Sequence, residues 1–472
     1  MNDDSTARLA AVLRRWVDAA APGMRLPSTR KLVAEHQVSP ATVQKAVRTL
    51  VAAGVVETRP GVGNFVRGLR RLAAGDYGWQ TAALGEAAPR EPQRSSSLAS
   101  APPEAIAWHS GYPDRELLPE RLVRAAFARA ARNDAAVIRP PEAGSDELRA
   151  WFARELAGVS GEAVPAPVAT DALVMPGSQS ALSVSFRALV GVGGTLLIES
   201  PTYWGAILAA RQARIRLIPI PSGRDGIDAD ELERALRRTG ARVLYAQPTF
   251  ANPTGALWSA ELRDRVLELV RRHGAFLIED DWARDFGMVT PPVPLAAQET
   301  DGHVVYLRSL TKSVSPAVRV AAVIARGPVR ERILATARAE SMYVSGVLQA
   351  VAHDVVSQSG WRTYRQGLGR QLQARRDALI AALALEAPAA QVQGVPSGGL
   401  NLWVRLPDVV DRNALVRDCQ AEGLLVGPGT EWFPGEASGN FLRLNFSGPN
   451  PSAFPAGARI LADALTRQGI TD

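Results

Sequence analysis

The sequence predicts a multidomain chain of mixed class: a small N-terminal α+β domain, a large α/β domain and a smaller C-terminal α+β subdomain. Three observations predict it. Residues 25–66 carry two short helix patterns and a hairpin pattern; apolar runs alternate with helical stretches from residue 106 onward; and between them, over about 67–105, periodicity lapses. At 472 residues the chain exceeds one ordinary domain. The boundaries read as 1–67 for the first domain, 68–105 for a linker, 106–330 for the large domain and 331–472 for the small subdomain.

In the first domain, residues 7–20 place Leu9, Val12, Leu13 and Trp16 on one helical face. A second helix starts near Ser28 with Leu32 and Val33 apolar, and breaks at Gln37–Val38. Ser39 then reads as an N-cap and Pro40 as the first helical position. That third helix buries Val43, Ala46, Val47 and Leu50, leaving Thr42, Gln44, Lys45, Arg48 and Thr49 on its other face; Gly54 ends it. VVET and NFVR pair around Arg59-Pro-Gly-Val-Gly63 as a hairpin. Two helices at a tight turn followed by a basic hairpin make a winged helix-turn-helix, which sets its second helix in the major groove and its wing on the adjacent backbone. A small helical domain with a solvated polar face would use the same spacing. Residues 1–75 hold 12 Lys+Arg against 5 Asp+Glu, a balance of +7 equal to that of the whole chain. The N-terminal segment is therefore the polyanion-binding candidate.

Residues 86–104 (EAAPREPQRSSSLASAPPE) are rich in Pro, Ser and Ala and predict a linker without enough apolar surface to order itself. Beyond it, DALVM, GTLLIES, IRLIPI, RVLYAQP, AFLIED and VVYLRS read as strands covered on both faces, hence a largely parallel sheet. The stretch 330–472 opens with a long helical pattern and continues with GGLNLWVRL and NFLRLNFS. The start of the chain does not read as a signal peptide, and no apolar run reaches the length of a membrane span. One cysteine, Cys419, excludes an intramolecular disulfide framework and fits a cytoplasmic protein. No pattern of metal ligands stands out.

Of 54 basic residues only Lys31, Lys45 and Lys312 are lysines. Arginine can supply a structural cation but not an amine that loses its proton and attacks a carbonyl carbon. A lone lysine in LRSLTKSVSPAVR therefore points to Schiff-base chemistry, although a surface lysine surviving by chance explains the count equally well. Ser309 and Arg319 flank it with donors suited to a phosphate. Pro176-Gly177-Ser178-Gln179 follows a strand and opens a helix, a common anion-binding turn. Asp280 closes the strand AFLIED, where open α/β sheets hold ligands, or else caps a helix. Arg443 is an arginine inside an apolar strand and needs a carboxylate partner, internal or bound.

Two resemblances sharpen these readings. LPSTRKLV, VSPATVQKAV and GVVETRPGVGNFV resemble the GntR-type DNA-binding domain, which implies double-stranded DNA as a partner, with Ser28, Arg30, Thr42, Gln44, Lys45, Arg48 and Arg59 toward it. From about Trp108 to the C-terminus, NPTG, SLTKSVSPAVR and LRLNF resemble the fold type I aminotransferases, dependent on pyridoxal 5′-phosphate (PLP). That resemblance implies that Lys312 holds PLP as a Schiff base, Asp280 pairs with the pyridine nitrogen, Asn252 bonds the 3′-oxygen and Tyr203 stacks on the ring. Ser178, Gln179, Ser309 and Arg319 would hold the phosphate, and Arg443 the carboxylate of an amino-compound effector, with Gly111 and Gly399 bordering the entrance. Two positions depart from the family: Trp282 stands where a tyrosine usually donates to the 3′-oxygen, and the tyrosine usual near Arg139–Pro140 is missing. Together the halves resemble the MocR subfamily of GntR-family regulators. This implies a cytoplasmic, homodimeric transcription regulator that senses PLP or an amino compound rather than an enzyme; an active aminotransferase carrying a DNA-binding module, or a cofactor-less scaffold, are the alternatives.

Overall fold

In the computed structural model, which describes residues 2–67, 80, 95–161, 164–448 and 450–470, the chain divides into two units, Met1–Glu91 and Pro92–Asp472. Unit 1 is built from α1 (Asn2–Ala19), α2 (Thr29–His36), α3 (Pro40–Ala52), β1 (Val56–Arg59) and β2 (Gly63–Val66). The expected cap forms, Ser39 Oγ accepting from Thr42 N–H at 3.1 Å, and Ser28 Oγ caps α2 likewise, accepting from Lys31 N–H at 3.2 Å. Leu9, Leu13 and Val17 of α1 bury against Leu32, Val43, Ala46 and Leu50, while Val47 is only half-buried. The hairpin pairs Val56 with Val66 and Arg59 with Gly63. Met24 and Leu26 add main-chain hydrogen bonds to Val66 and Asn64 on the free edge of β2, a pairing the sequence pattern did not signal.

Unit 2 is ordered around an eight-stranded sheet in the order β4-β11-β10-β9-β8-β5-β6-β7. Its strands are β4 (Ala172–Met175), β5 (Thr195–Ser200), β6 (Arg216–Gly223), β7 (Gly226–Ile227), β8 (Val243–Ala246), β9 (Phe276–Asp281), β10 (Val304–Ser309) and β11 (Ala321–Ile324). The pairs from β10 through β9, β8 and β5 to β6 are parallel, whereas β11 runs antiparallel to both neighbours and β7 is an edge hairpin on β6. The sheet strands are buried on both faces except at the β6 edge, which explains their near-continuous apolar runs.

The small subdomain differs from the expected span. Helix α5 (Pro328–Ser341) sets Ile333 and Leu334 into the core that also holds Phe186 of α4 (Ser178–Leu189), and α6 (Gly346–Ser357) packs Val351 and Val355 with Trp151 and Val320. Both helices therefore belong with the large sheet. The second core begins along α7 (Ser359–Glu386), at Leu368, and takes in a four-stranded sheet and α8 (Phe454–Thr466). It also recruits residues from far upstream: Trp108 packs edge-on to Phe454, with ring centroids 6.4 Å apart. The expected linker is corrected in its last part. Residues 68–79 and 81–94 lie outside the described residues, but Ser96–Leu98 forms a 3-10 turn with Ser95 and Ser97 buried on unit 2. The serines bring no apolar surface of their own; they order by bonding to charged side chains there, a stronger contact than neutral pairs make.

Candidate functional site

The side chains expected to act together leave the C-terminal ends of β4, β5, β8, β9 and β10, the ligand-binding edge of an open α/β sheet. They line one pocket, bordered by Tyr112, Ser178, Gln179, Tyr203, Gln247, Asn252, Asp280, Trp282, Ser309, Thr311, Lys312 and Arg319.

Alternation along β9 sorts its acids. Glu279 and Asp281 face away from the pocket, Glu279 accepting from the Leu295 and Ala296 amides and Asp281 from Tyr306 Oη. Asp280, 2% exposed, faces the pocket and caps no helix. Its Oδ2 accepts from Tyr245 Oη at 2.8 Å and Gln247 Nε2 at 2.9 Å, while Oδ1 has no partner among the described residues. Burial pushes its carboxyl up to about 6 despite those two donors. A buried carboxylate oxygen with a free lone pair, aimed into a pocket, fits the protonated nitrogen of a pyridine ring.

Lys312 is half-buried, its Nζ 4.3 Å from the centroid of Trp282 and 5.8 Å from that of Tyr112. Burial, helped by the charge of Arg443 and opposed by Asp280, brings its pKa down to about 7. Asp285, Asp281 and Glu279 pair elsewhere, so no carboxylate ties this ammonium down among the described residues. Trp282 is buried with an unpartnered Nε1, in the place where the resemblance puts a tyrosine. Asn252 Oδ1 is likewise buried and free, while its N–H donates to Gln247 Oε1.

The phosphate side is equally defined. Gly177 has φ +87° and caps α4; a Cβ there would lie 2.8 Å from Arg319 Nη2, so glycine lets the guanidinium lie across the helix N-terminus. Arg319 forms no ion pair among the described residues, its Nη2 donating only to the Pro176 carbonyl at 3.4 Å. Gln179 differs from expectation. Its side chain is committed, Nε2 donating to Gly205 O at 2.8 Å and Oε1 accepting from Tyr203 Oη at 3.1 Å, so only its main-chain amide is open to an anion. Tyr112, Gln247, Thr311 and, behind Asp280, Tyr245 were missed by sequence reasoning. Tyr245 and Gln247 had a signal: they alternate two apart in RVLYAQP and so share a face at the strand end.

Arg443, 1% exposed in the strand Asn440–Asn445, has no carboxylate within ion-pair reach among the described residues. Its Nη2 donates to Ser97 Oγ at 3.0 Å and to the carbonyls of His109 and Ser110, its Nε is unpartnered, and its guanidinium lies 4.5 Å over Trp432. Burial lowers it to about 10. Gly111 stands beside it, 3.7 Å from Nη1 to where a Cβ would be. Among the described residues there is no internal ion pair to explain this arginine.

In unit 1, Gln44, Lys45 and Arg48 are exposed along one face of α3, and Ser28 and Arg30 at the start of α2 are exposed too. Thr42 is half-buried, its hydroxyl 2.9 Å from Ser39 Oγ. Arg59 is engaged: its guanidinium pairs with Glu57 at 2.6 Å and lies 4.5 Å over Phe65.

A family model for aminotransferase class I and II matches residues 104–459. The chain belongs to the aminotransferase class I and II family. A second model, for bacterial regulatory proteins of the gntR family, matches residues 6–66, and this pairing of domains is that of the MocR subfamily. The aminotransferase-type chain is 30% identical over 369 residues to a 2-aminoadipate transaminase of Thermus thermophilus, covering 77% of this chain and 90% of that one. It is 27% identical to the "Probable rhizopine catabolism regulatory protein MocR" of Rhizobium meliloti, covering 93% and 89%. Among solved structures, an α-aminoadipate aminotransferase from Thermus thermophilus, complexed with N-(5′-phosphopyridoxyl)-L-leucine, superposes with a TM-score of 0.71 at 28% identity over 79% of this chain and 96% of that one. Among the described residues no helix is long and apolar enough to cross a membrane, and no cluster of His, Cys, Asp and Glu has a metal-holding arrangement.

Proposed function

We propose that this aminotransferase-type chain is a transcription regulator that binds DNA through unit 1 and PLP, with an amino compound, through unit 2. One observation carries it: a basic recognition face on α3 and a pocket bearing both Lys312 and the free Oδ1 of Asp280 stand in one chain. The match to the MocR relative supports it, because that likeness runs through both domains.

When bound, PLP supplies an aldehyde that condenses with amines and a ring that takes up electron density. The chain's residues would do the rest. Lys312, brought to about 7, presents a neutral amine at physiological pH. Asp280 Oδ1 would accept a hydrogen bond from the protonated pyridine nitrogen and so hold the proton on that nitrogen. Arg319, Ser309 and the amides of Ser178 and Gln179 hold the phosphate at the positive end of α4. Tyr203 covers one face of the ring, Asn252 donates to the 3′-oxygen, and Arg443 takes a carboxylate. With Trp282 the site lacks a phenol at the 3′-oxygen, since an indole N–H is a donor of different reach and acidity. On the DNA side, Arg30 and Arg59 would contact phosphates, Ser28 and Thr42 the backbone beside them, and Gln44, Lys45 and Arg48 the base edges. A homodimer would present two such faces to paired half-sites in double-stranded DNA in the cytoplasm.

The test is a titration of the DNA flanking this protein's own gene at fixed salt, with and without PLP. Affinity that changes with PLP, and borohydride fixation of the pyridoxyl group on Lys312 by peptide mass, are the expected results. DNA binding indifferent to PLP at saturating cofactor would defeat the sensor reading. A second reading, working transamination, is favoured by the 30% identity to a transaminase. Turnover of amino donors with keto acids decides it.

A further inference from the structure

Ser95-Ser96-Ser97 lies in the stretch whose composition reads as linker, yet it is fastened beside Arg443. Ser95 Oγ donates to Glu431 Oε2 at 2.7 Å and the Ser96 amide to Glu431 Oε1 at 3.0 Å. Ser97 Oγ accepts from Arg443 Nη2, and the Ala99 carbonyl lies 2.9 Å from His109 Nε2.

The geometry at Arg443 sets these contacts against a ligand. Nη2 carries two hydrogens, and three acceptors, Ser97 Oγ and the carbonyls of His109 and Ser110, already share them. A guanidinium grips a carboxylate bidentately either side-on, through Nε and Nη2, or end-on, through Nη1 and Nη2. Both modes use Nη2, so one acceptor must yield. The two carbonyls are main chain beside Gly111. The Ser97 hydroxyl alone can rotate away, and it belongs to a separately held segment.

We infer that Ser95–Ala99 is a latch read by the carboxylate site: a carboxylate on Arg443 displaces Ser97 and loosens the segment through which the chain from unit 1 reaches unit 2. This rests on, and deepens, the assignment of Arg443 in the proposed function. Freeing these five residues adds at most about 16–18 Å of extended chain to the connection between the domains. Ligand state is thereby converted into tether length.

The test uses the full-length protein and two probes that differ by one group, N-phosphopyridoxyl-L-alanine and N-phosphopyridoxyl-ethylamine. Both share phosphate and ring, and only the first has the carboxylate. Amide hydrogen exchange at Ser96–Ala99 should be faster, by about tenfold, with the carboxylate probe bound than with the amine probe bound. In Ser97→Ala the exchange should already be fast without probe, and the two probes should no longer differ. By reciprocity the carboxylate probe should bind Ser97→Ala more tightly, relative to the amine probe, by the same factor as the exchange difference. Equal exchange with both probes bound to the wild type would overturn the latch and leave the cofactor site standing. Failure of both probes to bind would overturn the cofactor site itself, and the latch with it.

Discussion

Asp280→Asn offers the most direct reading of the pocket, because the charge it removes is buried and forms no ion pair among the described residues, Lys312 acting on it only at longer range. Burial raises the Asp280 carboxyl from 3.8 to about 6 when no ligand pairs with it. A carboxyl raised on folding contributes no penalty below its unfolded pKa. Its cost grows as pH rises, because the unfolded chain ionises first, and levels off above the folded value. With those two values the cost is about 1 kcal/mol at pH 4.5 and about 3 kcal/mol at pH 7.5. Asparagine keeps an oxygen for Tyr245 and Gln247 and carries no charge, so PLP-free Asp280→Asn should be the more stable protein, increasingly so toward neutral pH. Over the 381 residues from Pro92 to Asp472, an unfolding entropy of about 2.1 cal/mol/K per residue converts 3 kcal/mol into a Tm gain of about 4 °C. Calorimetry of both proteins from pH 4.5 to 7.5, with and without PLP, measures it. With PLP the order should invert, because only the carboxylate stabilises a pyridinium. A Tm difference that stays flat with pH, or a variant that PLP stabilises as much as the wild type, would refute the reasoning.

Three further outcomes are expected. Acylation of Lys312 by an amine-selective reagent in the PLP-free protein should rise with a midpoint near pH 7, reflecting its depressed pKa; Trp282→Leu, which removes the π face 4.3 Å from Nζ, should lower that midpoint by about half a unit, since such a contact is worth about 0.5–1 kcal/mol. Quantitative peptide mass spectrometry reads both. On the specific DNA site, Gln44→Ala and Arg48→Ala should each cost about 1–3 kcal/mol, whereas Arg30→Ala should weaken all sequences alike and lower the salt slope by about one; titrations at several salt concentrations separate them. Glu57→Gln should strengthen binding and steepen the salt dependence, because it frees Arg59 from its pair at 2.6 Å.

Local chemistry determined much of this protein from the sequence alone. Ser39 and Pro40 start α3 because a capping hydroxyl and a fixed φ act within one turn, and the recognition face follows from helical spacing. The strands of the large sheet were legible as apolar runs because both faces of each are covered. Lys312 stood out by chemistry, since arginine cannot replace a nucleophilic amine. Tertiary structure decided what depends on partners far along the chain. Asp280, Glu279 and Asp281 are three adjacent acids in sequence, and only the pleat, with Tyr245 and Gln247 on the next strand, singles out one oxygen for the pocket. Helices α5 and α6 joined the large sheet because their apolar stripes fit its core, while Trp108 crossed to the small one. The serines at 95–97 are composition of a linker until Glu431 and Arg443, more than 330 residues away, supply the charges that hold them. A short polar segment has no periodicity to betray its place, so its order is a property of the surface that receives it.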